Sequence, residues 1–276
     1  IEIVPIMLSH GGRTFREYYD ITPAECCRLL EESDEIPSTA MATPAVFLES
    51  YNRAFERGCT HLIGVLINGS GSGTYQAACL AKGMFEEEHG EGAMVIEVFD
   101  SRTYTYIYGH IVVKAAEMRE QGESFEAITS VIRSRLSRVE AYLGVYTLKY
   151  LKKSGRISGG AAFVGEALGL KPISFVYDGA VKVCDKVRGE KALAAGICKK
   201  VVARVQQPES RPASCSTAMC PRSVWPKSKS ACARRSASRT SFAVRSARLF
   251  CPIPARLPSL LRTTARRASK ENCEKC

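Results

Sequence analysis

The sequence predicts an α/β fold: an N-terminal domain with a largely parallel sheet flanked by helices, then a smaller, incomplete α+β domain, then a tail of low order. Three observations predict it. Short β-branched runs alternate with helical patterns of about a dozen residues, the arrangement of βαβ units around a parallel sheet. Near residue 140 this gives way to strands paired about a turn. After about Gln206 hydrophobic periodicity vanishes, and Arg, Ser, Ala, Cys and Pro dominate. The expected divisions are therefore 1–138, 139–206 and 207–276.

Ile1 to Leu8 (IEIVPIML) reads as a strand ending at Ser9-His10-Gly11-Gly12. The chain opens on Ile1 within that strand, and its true start is expected to be missing. Thr22 to Glu32 reads as a helix, with Thr22 as N-cap, Pro23 at the first helical position and Glu25 three residues after the cap. Ile36 to Pro44 reads as a loop from its prolines and hydroxyls. Pro44 to Gly58 is the next helix, capped by Thr43 and stopped by Gly58.

His61 to Ile67 (HLIGVLI) is a bounded, β-branched run and reads as a buried strand. Tyr75 to Met84 reads as the helix packed on it. Ala93 to Phe99 is a further strand, closed by Asp100-Ser101, and Tyr108–Gln121 and Ser124–Ser137 are helices. In the second domain Ala141 to Val145 is a strand. Leu148 to Ile157 is a polar turn carrying Arg156, and Gly160 to Leu168 is a small helix. Lys171 to Tyr177 and Ala180 to Lys186 are strands joined at the Asp178-Gly179 hairpin turn. Arg188-Gly189 opens a helix to about Val205.

The chemistry centres on Asn68-Gly69-Ser70-Gly71-Ser72-Gly73-Thr74, which joins the His61–Ile67 strand directly to the next helix. A strand, a glycine-rich turn and a helix start together make an anion site. The first-turn N–H groups have no partner inside the helix, and the peptide dipoles leave partial positive charge there. The glycines admit a ligand close to the backbone, and Ser72 and Thr74 add hydroxyls. A P-loop would need Lys where Gly73 stands. A dinucleotide fingerprint would need a third glycine where Thr74 or Gln76 stands. A nucleophile elbow would need serine at position 71. A carboxylate or phosphate cradle without a catalytic signature remains, beside the plainer reading of a tight βα turn.

Charge and cysteine exclude other classes. The net charge of +11 is confined to the tail: residues 207–276 hold 15 Lys and Arg against 3 Asp and Glu, leaving 24 against 25 in the first 206. The body is thus near neutral, and a nucleic-acid-binding role is not expected. No apolar run of about 18 residues predicts a spanning helix, and no signal peptide is evident. Cys26, Cys27, Cys59, Cys79, Cys184 and Cys198 lack metal spacing and read as reduced, mostly buried thiols of a cytoplasmic protein. Cys273 and Cys276 form a CxxC without a partner pair, a weak zinc signal, so no metal is expected. A hydrolase of lipid-like esters using Ser72 is the alternative function, but no spacing ties it to His10, His61, His89 or His110.

Four segments carry a family resemblance. NGSGSGTYQAA matches SSxLSGTYQSA, intact from Ser72. The stretch Thr39 to Phe47 keeps Thr39, Pro44 and Phe47 of TSQPSPxxF and lacks its serine, glutamine and first proline. LKYLKKSGRI matches LxYLxKGGRI, with Ser154 for a glycine. LGLKPI, Asp178-Gly179 and Lys186-Val187-Arg188-Gly189 match LxIKPI…DG…K.RG. In this order over residues 1–206, the chain resembles the DegV family of bacterial fatty-acid-binding proteins, the acyl-binding partners of fatty acid kinase. The family's opening strand, with its Asp-Ser pair, is absent.

The resemblance implies a protein with no catalytic residues and no cofactor. It would hold a long-chain fatty acid in an apolar tunnel between domains and present its carboxylate to a separate fatty acid kinase. Thr39 and Ser72 would meet the carboxylate with hydroxyls, Gly73 and Thr74 with loop amides. Arg156 and Arg188 would stand near the mouth, holding the head group or meeting the kinase. The tunnel would supply most of the affinity, at about 0.8 kcal/mol per buried CH₂.

The tail has a reading in the genetic code. Permitted codons for Ser214–Trp225, shifted by two bases, give LQHGDVPEERV; the same shift for Leu261–Ser269 gives AHYGPEGV. The family carries an HGD-plus-acidic segment and a terminal H-x-GPG or GPEG loop at about these places. Residues from roughly 207 onward are therefore expected to be an out-of-frame translation, which the base sequence of the locus tests: an intact frame refutes it. The family's C-terminal histidine and last strands would then be missing, and residues 207–276 lack a core-forming pattern.

Overall fold

The computed structural model describes residues 1–145 and 169–204. Its elements are β1 (Met7–His10), β2 (Arg13–Arg16), α1 (Pro23–Glu32), β3 (Ser38–Ala40), α2 (Pro44–Glu56), β4 (His61–Leu66) and α3 (Thr74–His89). Then follow β5 (Val95–Asp100), α4 (Tyr106–Glu120), α5 (Phe125–Leu136), β6 (Glu140–Gly144), β7 (Leu170–Tyr177), β8 (Ala180–Arg188) and α6 (Glu190–Arg204).

β4 and β5 run parallel, in register from His61↔Val95 to Leu66↔Asp100. Successive side chains leave a strand on opposite faces, and here both faces are covered. Leu62, Leu66, Ile96 and Val98 join Phe47, Tyr51, Ala77, Ala78, Ala81 and Phe85 of α2 and α3. Ile63, Val65 and Phe99 pack with Ile111, Met118, Ile128 and Ile132 of α4 and α5. Burial on both faces is why β4 reads as a continuous apolar run.

A separate antiparallel sheet, ordered β2-β1-β3, precedes this pair. It corrects the N-terminal reading, because the strand starts at Met7 and continues through His10. Gly11 and Gly12, at φ 58° and 72°, then turn the chain back into β2, as a type I′ hairpin requires. Within residues 1–6, Glu2 is instead tied to α2: its carboxylate accepts from Ser50 at 2.8 Å and Arg53 at 2.6 Å. Part of the expected loop 36–44 is strand β3, paired with β1 through Leu8↔Thr39. All three residues of β3 are exposed; with no face to bury, the strand leaves no period-two pattern.

Helix starts follow their caps. Thr22 Oγ1 accepts from Glu25 N and the Glu25 carboxylate accepts from Thr22 N, closing the expected capping box. Thr43 precedes α2 without a side-chain cap bond. α3 extends past Met84 to His89, because Phe85 is fully buried and His89 packs against Phe55 and Phe85.

The proposed division at residue 139 falls just before β6. The antiparallel sheet β6-β7-β8 carries α6 on one face, with Ile173 and Leu193 buried between them. The expected turn 148–157 and helix 160–168 lie outside the described residues, as does the tail 207–276. The six cysteines among the described residues are less buried than expected: Cys59, Cys79 and Cys184 are exposed and Cys26, Cys27 and Cys198 partly so. Cys79 points outward from α3, and Cys184 takes an outward position in the alternation of β8.

Candidate functional site

The site grows from the end of the parallel pair. Where β4 ends, Ser101 N donates to Leu66 O and Asn68 N to Thr103 O, both at 3.0 Å, so the loops after β4 and β5 are stitched together. Asn68 O then accepts from Gly71 N and Ser72 N, each at 3.1 Å, which curls residues 68–72 into a tight turn. Asp100 Oδ1 accepts from Gly69 N and Arg102 N, both at 2.9 Å.

α3 begins at Thr74, with Gly73 as its N-cap and no side-chain cap bond. The Ser72 and Thr74 hydroxyls lie 2.7 Å apart, and Thr74 is buried while Ser72 is half-buried. Two hydroxyls and the first-turn amides of a 16-residue helix thus converge on one spot. Ala77, whose N donates to Gly73 O, and Ala42, Ala78 and Ala81 belong to the buried core shared by α2 and α3. Such a spot can take one carboxylate or phosphate group.

The loop is also tightly enclosed. A Cβ at Gly71 would collide with the Tyr104 hydroxyl, and one at Gly73 with the Met41 sulfur. Met41 lies two residues after Thr39, so the end of β3 reaches the head of α3. It occupies the place of the glutamine in TSQPSPxxF and sets a thioether there. Thr39 itself is exposed in β3.

The structure therefore brings Ser72, Gly73 and Thr74 together and sets the Thr39 segment beside them. Arg188 is exposed at the last position of β8, roughly 26 Å along that strand from Ala180 by strand rise. It is not joined to the loop through the hairpin turn that touches it. Arg156 lies outside the described residues.

Several residues at the loop were not singled out from sequence. Asn68 is 1 % exposed, and its Nδ2 donates to Tyr104 Oη at 2.6 Å and Gly179 O at 2.9 Å. The Arg102 guanidinium meets Asp178 Oδ1 at 2.5 Å, and that hydrogen bond raises its affinity for its proton. Tyr75, on the first turn of α3, has its phenol pushed up by a hydrogen bond to Cys79 and by the charges of Cys79 and Asp100. Thr103 is 1 % exposed, and its Oγ1 has no hydrogen-bond partner among the described residues.

None of the four histidines stands beside Ser72. His61 bonds Thr60, and His89 bonds Asn52. His110 lies within α4 near Tyr106, and His10 ends β1 with a buried Nε2. The Ser72 hydroxyl has Thr74 for its neighbour, so among the described residues no histidine serves the hydrolase alternative as a base. Among the described residues no cluster of His, Cys, Asp and Glu could hold a metal ion, and no helix is long and apolar enough to cross a membrane.

Comparison with known proteins places this geometry among relatives. The family model described as "Uncharacterised protein, DegV family" matches residues 1–230. A DegV domain-containing protein of Clostridium acetobutylicum is 34% identical over 194 residues, covering 70% of this chain and 67% of that protein. The chain thus spans about two thirds of that relative's length. A solved DegV family protein of Thermus thermophilus, described by its fatty acid binding, is 31% identical with a TM-score of 0.64, covering 74% of this chain and 70% of that one. A fatty acid binding DegV family protein of Streptococcus agalactiae is 26% identical with a TM-score of 0.65, covering 75% and 71%.

Proposed function

Because the chain belongs to the DegV family, we propose that it binds a long-chain fatty acid and presents the carboxylate to a separate fatty acid kinase, performing no chemistry alone. The observation that carries this is the Ser72–Thr74 hydroxyl pair, 2.7 Å apart at the start of α3. An anionic head there accepts from hydroxyls and unpaired helix amides, and such charge-assisted bonds are the stronger kind. The apolar core beside the loop, to which Ala42, Ala77, Ala78 and Ala81 belong, supports a hydrocarbon chain lying behind the head group, and a tunnel between the domains is expected. Thr39 supplies a further hydroxyl from the segment that Met41 holds against Gly73. Arg156 is assigned to the head group or to the kinase contact, and Arg188, at the far end of β8 from the loop, to the kinase contact. A near-neutral body fits a lipid ligand better than nucleic acid, and we place the protein in the cytoplasm with no stable membrane insertion.

Lipid extraction and mass spectrometry of the purified chain test the reading, followed by titration with oleate. Fatty acid is expected to co-purify. Ser72→Ala and Thr39→Val are each expected to weaken oleate binding about tenfold, the worth of one charge-assisted hydrogen bond. A protein that carries no lipid and ignores added oleate would refute it.

A further inference from the structure

We propose that the tip of the β7–β8 hairpin holds the carboxylate loop in its binding shape, with Asn68 as the positioning residue between them. The inference rests on the fatty-acid reading above.

Asn68 faces both ways. Its main-chain carbonyl accepts from Gly71 N and Ser72 N and so sets the loop. Its side chain holds the hairpin, with Nδ2 donating to Gly179 O at 2.9 Å. Ser70 Oγ lies 3.0 Å from Asn68 Oδ1 and 3.1 Å from Gly179 O, sharing its proton between them. The hairpin answers in kind. Gly179 N donates to Arg102 O at 2.9 Å, and Asp178 pairs with the Arg102 guanidinium. Residues 68–70 and 102 thus clasp a turn that lies 76 to 111 positions further along the chain.

The turn is shaped for this. Asp178 and Gly179 take φ 50° and 77°, the type I′ conformation that Asp-Gly favours. A Cβ at Gly179 would stand 2.8 Å from Asn68 Oδ1 and 3.1 Å from Ser70 Oγ, so only glycine lets the tip seat. The contact also differs from a surface ion pair, because it runs through a side chain that is 99 % buried. Taking away Gly179 O leaves one of the two buried Nδ2 hydrogens without an acceptor, while the other stays with Tyr104 Oη, and an unmade buried bond costs more than the bond itself contributes.

The functional consequence follows from preorganisation. Ser72 N and the Ser72 hydroxyl sit where Asn68 O puts them. A loop already ordered by the hairpin spends less of the ligand's interaction energy on ordering. Coupling is reciprocal, so a bound carboxylate in turn tightens the hairpin.

The test uses the full 276-residue chain with oleate as probe, and reads its Kd beside hydrogen exchange of amides 69–74. Asn68→Asp keeps the shape and removes the donor; Gly179→Ala blocks seating of the tip. Both are expected to weaken oleate about tenfold and to speed exchange at 69–74. Ser70, at the exposed edge of the clasp, supplies variants that fold even where those two do not. Ser70→Ala is expected to lose about threefold in affinity, and Ser70→Thr, which keeps the hydroxyl, to restore it. Unchanged affinity in the folded Asn68→Asp and Gly179→Ala chains, or in Ser70→Ala, overturns the positioning role while leaving fatty-acid binding intact. So does weakened binding with unaltered exchange at 69–74. A wild-type chain that takes up no oleate overturns the fatty-acid reading, and the inference with it.

Discussion

Glu17 is held where a carboxylate is poorly solvated. Burial pushes its pKa up to about 7, and its carboxylate, after burial, helps keep the neighbouring Cys26 thiol and Tyr108 phenol protonated. In the unfolded chain the same group titrates near 4.3. Between those values the folded state keeps a proton that the unfolded state has lost, so stability falls as pH rises through about 4 to 7. Above pH 7 the folded group ionises too and the cost is complete. Glu17→Gln removes it. The variant is expected to gain about 2 kcal/mol over wild type at pH 8, allowing for partial exposure, and nothing at pH 4. Urea midpoints at the two pH values check this; an equal gain at both would exclude ionisation as the cause. Legibility at this scale is uneven. Ser72, Gly73 and Thr74 stand out in sequence because a helix start imposes local rules on its neighbours. Asn68 is visible only as a loop residue, since what makes it matter is Gly179, 111 positions away.

Elements were legible where local chemistry decides them. The α1 start is an example: Thr22, Pro23 and Glu25 specify a cap whatever the rest of the chain does, and both reciprocal bonds form. Thr22→Ala is expected to cost about 1 kcal/mol, read as a lowered denaturation midpoint. A Thr22→Ser variant, which keeps the hydroxyl, should recover it; failure to recover would point to packing of the threonine methyl instead. β2 and β3 were not legible, because short exposed strands are stabilised by backbone pairing to β1 and carry no apolar alternation. α3 was read five residues short for a related reason. Its last turn mixes Glu86, Glu87 and Glu88 with one deeply buried Phe85, so the apolar stripe narrows to a single residue there.

At the scale of the whole molecule, the order of βα units and the change of pattern near residue 140 were readable because each rests on a local period. The way the units meet was not. Among the described residues it includes a hairpin turn seated on a glycine-rich loop, and a turn has no period from which its partner could be inferred. That contact makes a prediction about the entire chain. A ligand bound only by the folded state at a hundred times its Kd stabilises by about 2.7 kcal/mol. For a folded region of 150–250 residues this raises Tm by roughly 5–10 °C. If the clasp links the two units, oleate at the Ser72 loop should raise the melting of both together. Thermal melts should then show one transition moving upward, whether followed by helix signal or by a fluorescent label on β8. In the Gly179→Ala chain the two probes should separate, with the β8 label no longer responding to oleate. Coincident shifts in both chains would mean that the units are coupled by other contacts, such as the Arg102–Asp178 pair acting alone.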